Sequence, residues 1–323
     1  MSTTRRGRAV KLLQRSGAFI ALVAAIALGA ARYEEFLTTE NIANVLRQNS
    51  MLGFVALGMT FVILSGGIDL SVGALVAVAG VSAAYLANHG VVIALIGGVA
   101  SAALLGTVNG LLITKARIQP FITTLAMLIG ARGAALAATN EQSILVPAGS
   151  EQLTWIGRGN VGVVPFPIVL LMVAYAGGML ALRYTRFGRH VYAIGDSEEA
   201  TRLMGLRVDR VVVATYALSG ALAGVAGVVL AARLGSGQAV AGTGWELDAI
   251  AAVVVGGTVL TGGEGGAGAT LVGVLLLAVI FNLFNLEGTI SPWWQWVLRG
   301  AFLLGVVVVQ AVLHRGSEQT TDS

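Results

Sequence analysis

Gly195-Asp196-Ser197-Glu198-Glu199-Ala200-Thr201-Arg202-Leu203-Met204-Gly205 is a short charged island between two long apolar runs, too brief to be a domain. Asp196 with Glu199 three residues on has the spacing of a capping box, and Gly205 supplies a left-handed stop, so about two turns of helix are predicted between them. Ala200, Leu203 and Met204 share one side of that helix, while Glu198, Glu199 and Arg202 face water. So short a helix is marginal in isolation and needs a surface to lie on. Two readings stand at this point: another protein provides part of that surface, or the stretch is an ordinary polar loop between apolar segments.

Around the island the chain is greasy. Of its 323 residues 56% are hydrophobic and only 11% charged, with a mean hydropathy of +0.83. That is about half the charge of a soluble protein, so water is not its main solvent. The 44 glycines against 5 prolines suit closely packed membrane helices, where small residues let backbones approach. There is no cysteine, which excludes disulfides and thiolate metal sites, and His89, His190 and His314 are scattered near span ends, so no metal is expected.

In chain order, Arg5, Arg6, Arg8, Lys11 and Arg15 precede an apolar run from Gly17 to Ala31. It has the make-up of a signal peptide or of a first span; the uncleaved span is favoured, because everything downstream is membrane-embedded. Further runs follow at 51–65, 70–87, 91–114, 121–138, 166–182, 211–232, 247–260, 267–286 and 294–313, ten candidate spans in all. Several fall short of the roughly 20 residues needed to cross a bilayer, which is tolerated where protein or a water-filled cavity covers the backbone. The fold class read from this pattern is all-α, a polytopic membrane protein of about ten transmembrane helices with a cytoplasmic coupling helix.

Charge sets the orientation. With the N-terminus inside, the cytoplasmic side collects Arg5, Arg6, Arg8, Lys11, Arg15, Lys115, Arg117, Arg183, Arg186, Arg189, Arg202, Arg207, Arg210 and Arg315, against Arg32, Arg47, Arg158 and Arg233 outside. That bias obeys the positive-inside rule, removes any need for nucleic acid to explain a pI near 9.8, and puts the island in the cytoplasm. The expected division is a basic cytoplasmic segment 1–16, a single transmembrane domain 17–313 with a cytoplasmic loop 184–210, and a cytoplasmic tail 314–323.

Polar groups inside apolar runs are costly and mark candidate sites: Asp69, Arg132, Glu246, Asp248 and Arg299. Asp69 and Ser71 sit at the Gly-rich break Ser65-Gly66-Gly67-Ile68-Asp69-Leu70-Ser71-Val72-Gly73, where capping the next helix is favoured over contact with a transported molecule. Glu246 and Asp248 open the eighth run, where acidic groups suit a helix N-terminus. Asn282, Asn285, Trp293, Trp294 and Gln295 gather near the external end of the last two runs. A weak internal echo pairs 62–67 with 258–263, each closing one apolar run on a Gly-Gly doublet; shared composition explains it as well as an ancient duplication does. No catalytic triad, carboxylate pair or phosphate loop can be assembled, so no catalytic residue and no cofactor is expected.

Four stretches together carry a family resemblance: 65–73, Thr123-Thr-Leu-Ala-Met127 with Ala131-Arg-Gly133, 195–205, and Glu246-Leu-Asp-Ala-Ile-Ala-Ala-Val-Val-Val-Gly-Gly-Thr258. In this order they resemble the membrane permeases of bacterial ABC monosaccharide importers of the ribose and xylose type, over residues 40 to 312. Arg186-Phe187-Gly188, 191–195 and Glu287-Gly288-Thr289-Ile290-Ser291-Pro292-Trp293-Trp294 are most similar to galactofuranose permeases. The resemblance implies a second permease copy or paralogue in the bilayer, a periplasmic sugar-binding protein, and a separate cytoplasmic ATPase docked through Gly195, Asp196, Glu198, Glu199, Ala200, Arg202, Leu203, Met204 and Gly205. Asp69, Ser71, Arg132, Glu246, Asp248 and Asn282 are then candidates for the translocation path. The rival from the residues alone is a secondary sugar carrier driven by an ion gradient, with Asp69 as the titrating group.

Overall fold

The computed structural model describes residues 3–288 together with 291, 293–294, 297–298, 300–301, 304–305 and 308; residues 3–16 are described by backbone alone. Among them twelve α-helices follow in order: α1 (Thr3–Arg32), α2 (Thr39–Leu64), α3 (Val72–Leu86), α4 (Val91–Lys115), α5 (Pro120–Thr139), α6 (Glu151–Arg158), α7 (Phe166–Tyr184), α8 (Arg186–Asp196), α9 (Glu198–Leu203), α10 (Val208–Leu234), α11 (Trp245–Val255) and α12 (Ala267–Glu287). Extended structure is confined to two-residue pieces. Strand β1 (Ile144–Leu145) pairs with β4 (Ser236–Gly237), and β2 (Asn160–Val161) with β3 (Val164–Pro165), both antiparallel.

Local chemistry sets the helix ends. Thr38 caps α2 by accepting the Asn41 amide at 3.3 Å, Pro120 opens α5, and Asn140 (φ 48°) ends α5 in the left-handed conformation. Glycines in the same conformation stop α10 at Gly235 (φ 74°) and α12 at Gly288 (φ 66°).

Among the described residues seven helices are long and apolar enough to cross a membrane: α2, α3 with the turn that extends it to His89, α4, α5, α7, α10 and α12. The described residues thus carry seven helices of full spanning length where the sequence reads ten apolar runs. The first run contributes only the 16-residue apolar stretch Gly17–Arg32 of α1, and the eighth forms α11, 11 residues long. At 1.5 Å per residue α11 covers about 16 Å, roughly half of the ~30 Å hydrocarbon layer. Gly257 (φ 97°) turns the chain back where the apolar run alone reads as continuing. The tenth run lies mostly outside the described residues, as do Arg299, Gln295, His314 and the 314–323 tail.

The core is built on α2, buried on every side from Ser50 to Leu64, and on α10, which packs against α4, α3 and α2. Close approach depends on small residues. A Cβ on Gly220 of α10 would lie 2.5 Å from the Ala102 carbonyl oxygen and 3.1 Å from the Gly106 Cα of α4, so only glycine permits this crossing. One end of the bundle carries α8, α9 and the start of α10; the other carries α6, the β2–β3 hairpin and the end of α10.

Candidate functional site

Helix α9 forms where the island predicts a helix, with a different cap. Asp196 is the last residue of α8, and the extended residue that caps α9 is Ser197 (φ −159°), whose hydroxyl accepts the Ala200 amide at 3.2 Å. The capping-box reading through Asp196 and Glu199 is thereby corrected. Glu198 and Glu199 still occupy the first turn, where they complement the helix dipole, and Gly205 (φ 80°) ends the segment as expected. The signal for Ser197 was present: a serine directly before two acidic residues is itself a helix start.

α9 rests on α8 through a residue the sequence does not single out. Thr201 is buried and its hydroxyl donates to the carbonyls of Ala193 (2.8 Å) and Ser197 (2.7 Å). Ala200, Leu203 and Met204 turn outward instead, Leu203 83% and Met204 67% exposed. Arg202, expected to face water, bonds Glu198 at 2.9 Å and Asp209 at 2.7 Å, and Lys115 bonds the second oxygen of Asp209 at 3.2 Å. The Glu198 bond, followed by that to Asp209, raises Arg202 above its ordinary range and keeps it charged. Exposed pairs of this kind contribute about 0.2–1 kcal/mol each, so their effect is chiefly to fix α9 against the starts and ends of α10 and α4.

Behind α9, Gly195 is wedged between two turns. A Cβ on Gly195 would collide with the Leu64 carbonyl oxygen and with the Gly263 amide nitrogen, and the Gly263 amide donates to that same Leu64 oxygen at 3.1 Å. The Tyr192 hydroxyl, one turn earlier on α8, donates to the Gly265 carbonyl at 2.9 Å. The paired doublets Gly66-Gly67 and Gly262-Gly263, an echo in the sequence, thus form one seat for the end of α8. The end of α8 thus touches the end of α2 and the loop after α11 backbone to backbone.

From Gly66 the chain runs to the first buried polar group. Asp69 is fully buried: Oδ1 accepts from the Ser71 amide (3.0 Å) and the Ser71 hydroxyl (2.6 Å), and Oδ2 from the Ser219 hydroxyl (2.9 Å). Asn109 Nδ2 donates to Ser71 Oγ at 2.9 Å. The expectation that Asp69 caps the next helix is corrected: Ser71 holds the cap position of α3, without a side-chain cap bond of its own, and Asp69 instead secures the turn before it. Ser219 and Asn109 lie in apolar runs among other hydroxyl-bearing residues, and no partner for either is legible from spacing.

Two residues further on, α3 meets α11. The Glu246 carboxylate lies against Gly73 and attracts Arg132, which donates to the Ala239 carbonyl at 2.7 Å and also to that of Ala241. Buried Glu246 Oε2, Asn109 Oδ1 and Thr123 Oγ1 have no hydrogen-bond partner among the described residues. Asp69, Ser71 and Glu246 therefore lie around the N-termini of α3 and α11, with Arg132 of α5 beside Glu246. Asp248, the next acid on α11, lines a cavity of about 270 Å³ with Ala251, Leu277, Phe281 and Phe284. Asn282 lies elsewhere on α12, exchanging amide bonds with Asn41 of α2 at 2.8 and 3.1 Å.

Replacing Asp69 separates holding the fold from contact with cargo. Asp69→Leu strips three donors of their acceptor and is expected to cost at least about 3 kcal/mol, whereas Asp69→Asn keeps one acceptor and costs about 1 kcal/mol. Thermal unfolding in detergent reads both. A stable Asp69→Asn chain that transports nothing would assign Asp69 to the path rather than to the turn.

Apolar helices long enough to span, short helices meeting at buried polar groups and an exposed amphipathic helix at one end define a multi-pass helical membrane protein. The chain belongs to the family described as branched-chain amino acid transport system / permease component, which matches residues 41–307. It is 39% identical to the ribose import permease of Escherichia coli K12 over 301 residues, covering 92% of this chain and 94% of that one. With the ribose import permease of Bacillus subtilis the identity is 42% over 300 residues (92% and 93%), and with the L-arabinose ABC transporter permease of Azospirillum brasilense 35% over 305 residues (94% and 89%). No solved structure matches it.

Proposed function

We propose that this chain is the membrane subunit of an ATP-driven ABC importer that moves a monosaccharide, galactofuranose or a ribose- or xylose-like sugar, into the bacterial cytoplasm. The relatives support the sugar class, being named for ribose and arabinose import rather than for amino acids. The observation that carries the mechanism is the outward apolar edge of α9, backed by a rigid backbone seat at Gly195. An ATPase gripping Leu203 and Met204 moves α8, and the seat shifts the turns at 64–67 and 261–265; the first leads through Asp69 and Ser71 into α3, and the second joins α12 to α11, which carries Glu246 and Asp248 in its first turn beside Arg132 of α5. Lever motion of this kind switches a packed bundle between outward and inward access, because such cores have discrete arrangements.

The orientation in this reading follows from charge, and the partners follow from the likeness to sugar permeases. The inner membrane holds the chain with both termini in the cytoplasm, residues 1–16 and 314–323, and with the loop 184–210 on the same side. A second copy or a paralogous permease completes the path, and a periplasmic sugar-binding protein delivers cargo. This subunit catalyses nothing; hydrolysis belongs to the ATPase.

Reconstituted vesicles test the assignment. Sugar accumulation is expected only with the ATPase, ATP and binding protein present, and not under a proton or sodium gradient applied to this chain alone. Gradient-driven uptake without ATPase would establish the secondary carrier instead. Glu199→Arg, which reverses charge in the first turn of α9, is expected to lower uptake about tenfold or more without reducing the amount of protein in the membrane.

A further inference from the structure

At the end of the bundle opposite α9, three arginines from three separate elements converge. Arg47 lies on α2, Arg158 ends α6 and Arg233 lies in the last turn of α10. Arg158 Nε donates to the Arg233 carbonyl at 2.6 Å and Arg47 donates to Asn160 Oδ1 at 2.9 Å, and Arg47 and Arg233 are near enough for their like charges to act on each other. Arg47 Nε is buried with no acceptor. Among the described residues every ion pair lies at the α9 end, so none of these three cations has a carboxylate partner.

Folding has thus gathered like charges from positions 47, 158 and 233 without neutralising them. Such a cluster is unfavourable unless an anion from outside the chain completes it. Its surroundings limit what that anion is. The hairpin beside Arg158 exposes Val163 (85%) and Val164, and Trp155 packs on Phe166 with ring centres 4.7 Å apart. Phe166 opens α7, whose outward face continues apolar through the exposed Val173. Guanidiniums above an exposed apolar strip fit an amphiphile, charged at its head and greasy along its tail. A small soluble anion would leave the valines and tryptophan unexplained.

We infer that Arg47, Arg158 and Arg233 form a binding site for an anionic phospholipid, its phosphate held by the guanidiniums and its acyl chains lying along Trp155, the hairpin valines and the outer face of α7. Planar guanidinium forks match phosphate oxygens in a way a single ammonium does not, and Trp at such a level anchors a helix bundle at the bilayer interface. The site would hold α2, α6 and α10 together at the end of the bundle remote from α9, where the described residues provide no ion pair to do so.

The test uses the full purified chain in detergent, titrated separately with phosphatidylglycerol, phosphatidylcholine and inorganic phosphate, and read by native mass spectrometry and thermal unfolding. It measures no transport, so it stands or falls apart from the permease assignment. Phosphatidylglycerol is expected to remain bound and raise the unfolding midpoint, with phosphatidylcholine at least about tenfold weaker. Arg158→Gln should lower phosphatidylglycerol affinity about tenfold, Arg158→Lys should restore only part of it, and Arg47→Gln should lower it further. If Arg47→Gln fails to fold, Arg158→Gln, on an exposed side chain, still decides. Equal affinity for the two lipids, or unchanged binding in Arg158→Gln, overturns the proposal. So does stabilisation by inorganic phosphate as large as that by lipid, which would mark a soluble-anion site. Variants that bind lipid normally but lose docking of a soluble acidic protein would overturn it in favour of a protein carboxylate.

Discussion

Replacing Leu203 and Met204 together with aspartate is expected to abolish sugar uptake while leaving the chain folded and inserted. Both side chains are largely exposed, and substitutions at such positions usually change stability by no more than about 0.5 kcal/mol. Their weight falls on association. Large apolar anchors at the centre of an interface contribute about 2 kcal/mol or more each, so losing both weakens ATPase binding about a thousandfold, and the new carboxylates add repulsion beside Glu198 and Glu199. Co-purification of the ATPase from detergent extracts should fail in parallel with uptake. Removing residues 196–204 should have the same outcome, because α9 is then absent. An unimpaired complex in the double variant would mean that α9 is an ordinary polar loop.

The second large effect concerns the seat. Gly195→Val is expected to destabilise the chain by at least about 3 kcal/mol, since the side chain would enter space held by the Leu64 carbonyl and the Gly263 amide, and neither is the tip of a flexible group. For a chain of this size that corresponds to a fall of about 6 °C or more in the unfolding midpoint. Gly205→Ala is the comparison: nothing lies within 4 Å of its added carbon, and its cost is confined to the left-handed backbone, about 1 kcal/mol. If the two were equally mild, α8 would have freedom to slide over the turns, and a rigid lever through Gly195 would be untenable.

The parts of this molecule that were legible in its sequence are those written in local chemistry. The run at 91–114 became α4 and the run at 121–138 became α5, each within a residue or two, because Lys115 and Pro120 punctuate them and a continuous apolar stretch of that length has one use in a bilayer. Among the described residues the eighth run falls short of a full span through its length and not its polarity: α11 is as apolar as its neighbours but is ended by glycines that resemble those inside continuous helices. The Ser197 cap was missed because Asp196 and Ser197 are both competent caps, and the choice depends on where α8 stops, a matter of its packing against the turns at 64–67 and 261–265.

Long-range contacts were the least legible. Nothing in spacing joins Asp69 to Ser219 or Asn109, nor Gly195 to Leu64 and Gly263. The echo between 62–67 and 258–263 had a mundane explanation in glycine-rich composition. Its importance emerges only from the Gly263 amide bonded to the Leu64 carbonyl, which makes the two doublets a single surface. The outward face of α9 was half legible: the shared side of Ala200, Leu203 and Met204 followed from helical period, whereas its exposure depends on Thr201 taking the inner position.

The chain's lack of cysteine allows a direct test of where α9 lies and what covers it. In Leu203→Cys, a membrane-impermeant maleimide should label inverted vesicles and not intact right-side-out cells, and addition of the ATPase should protect the thiol. Labelling from the outside of intact cells would place α9 on the wrong face of the membrane and contradict the account.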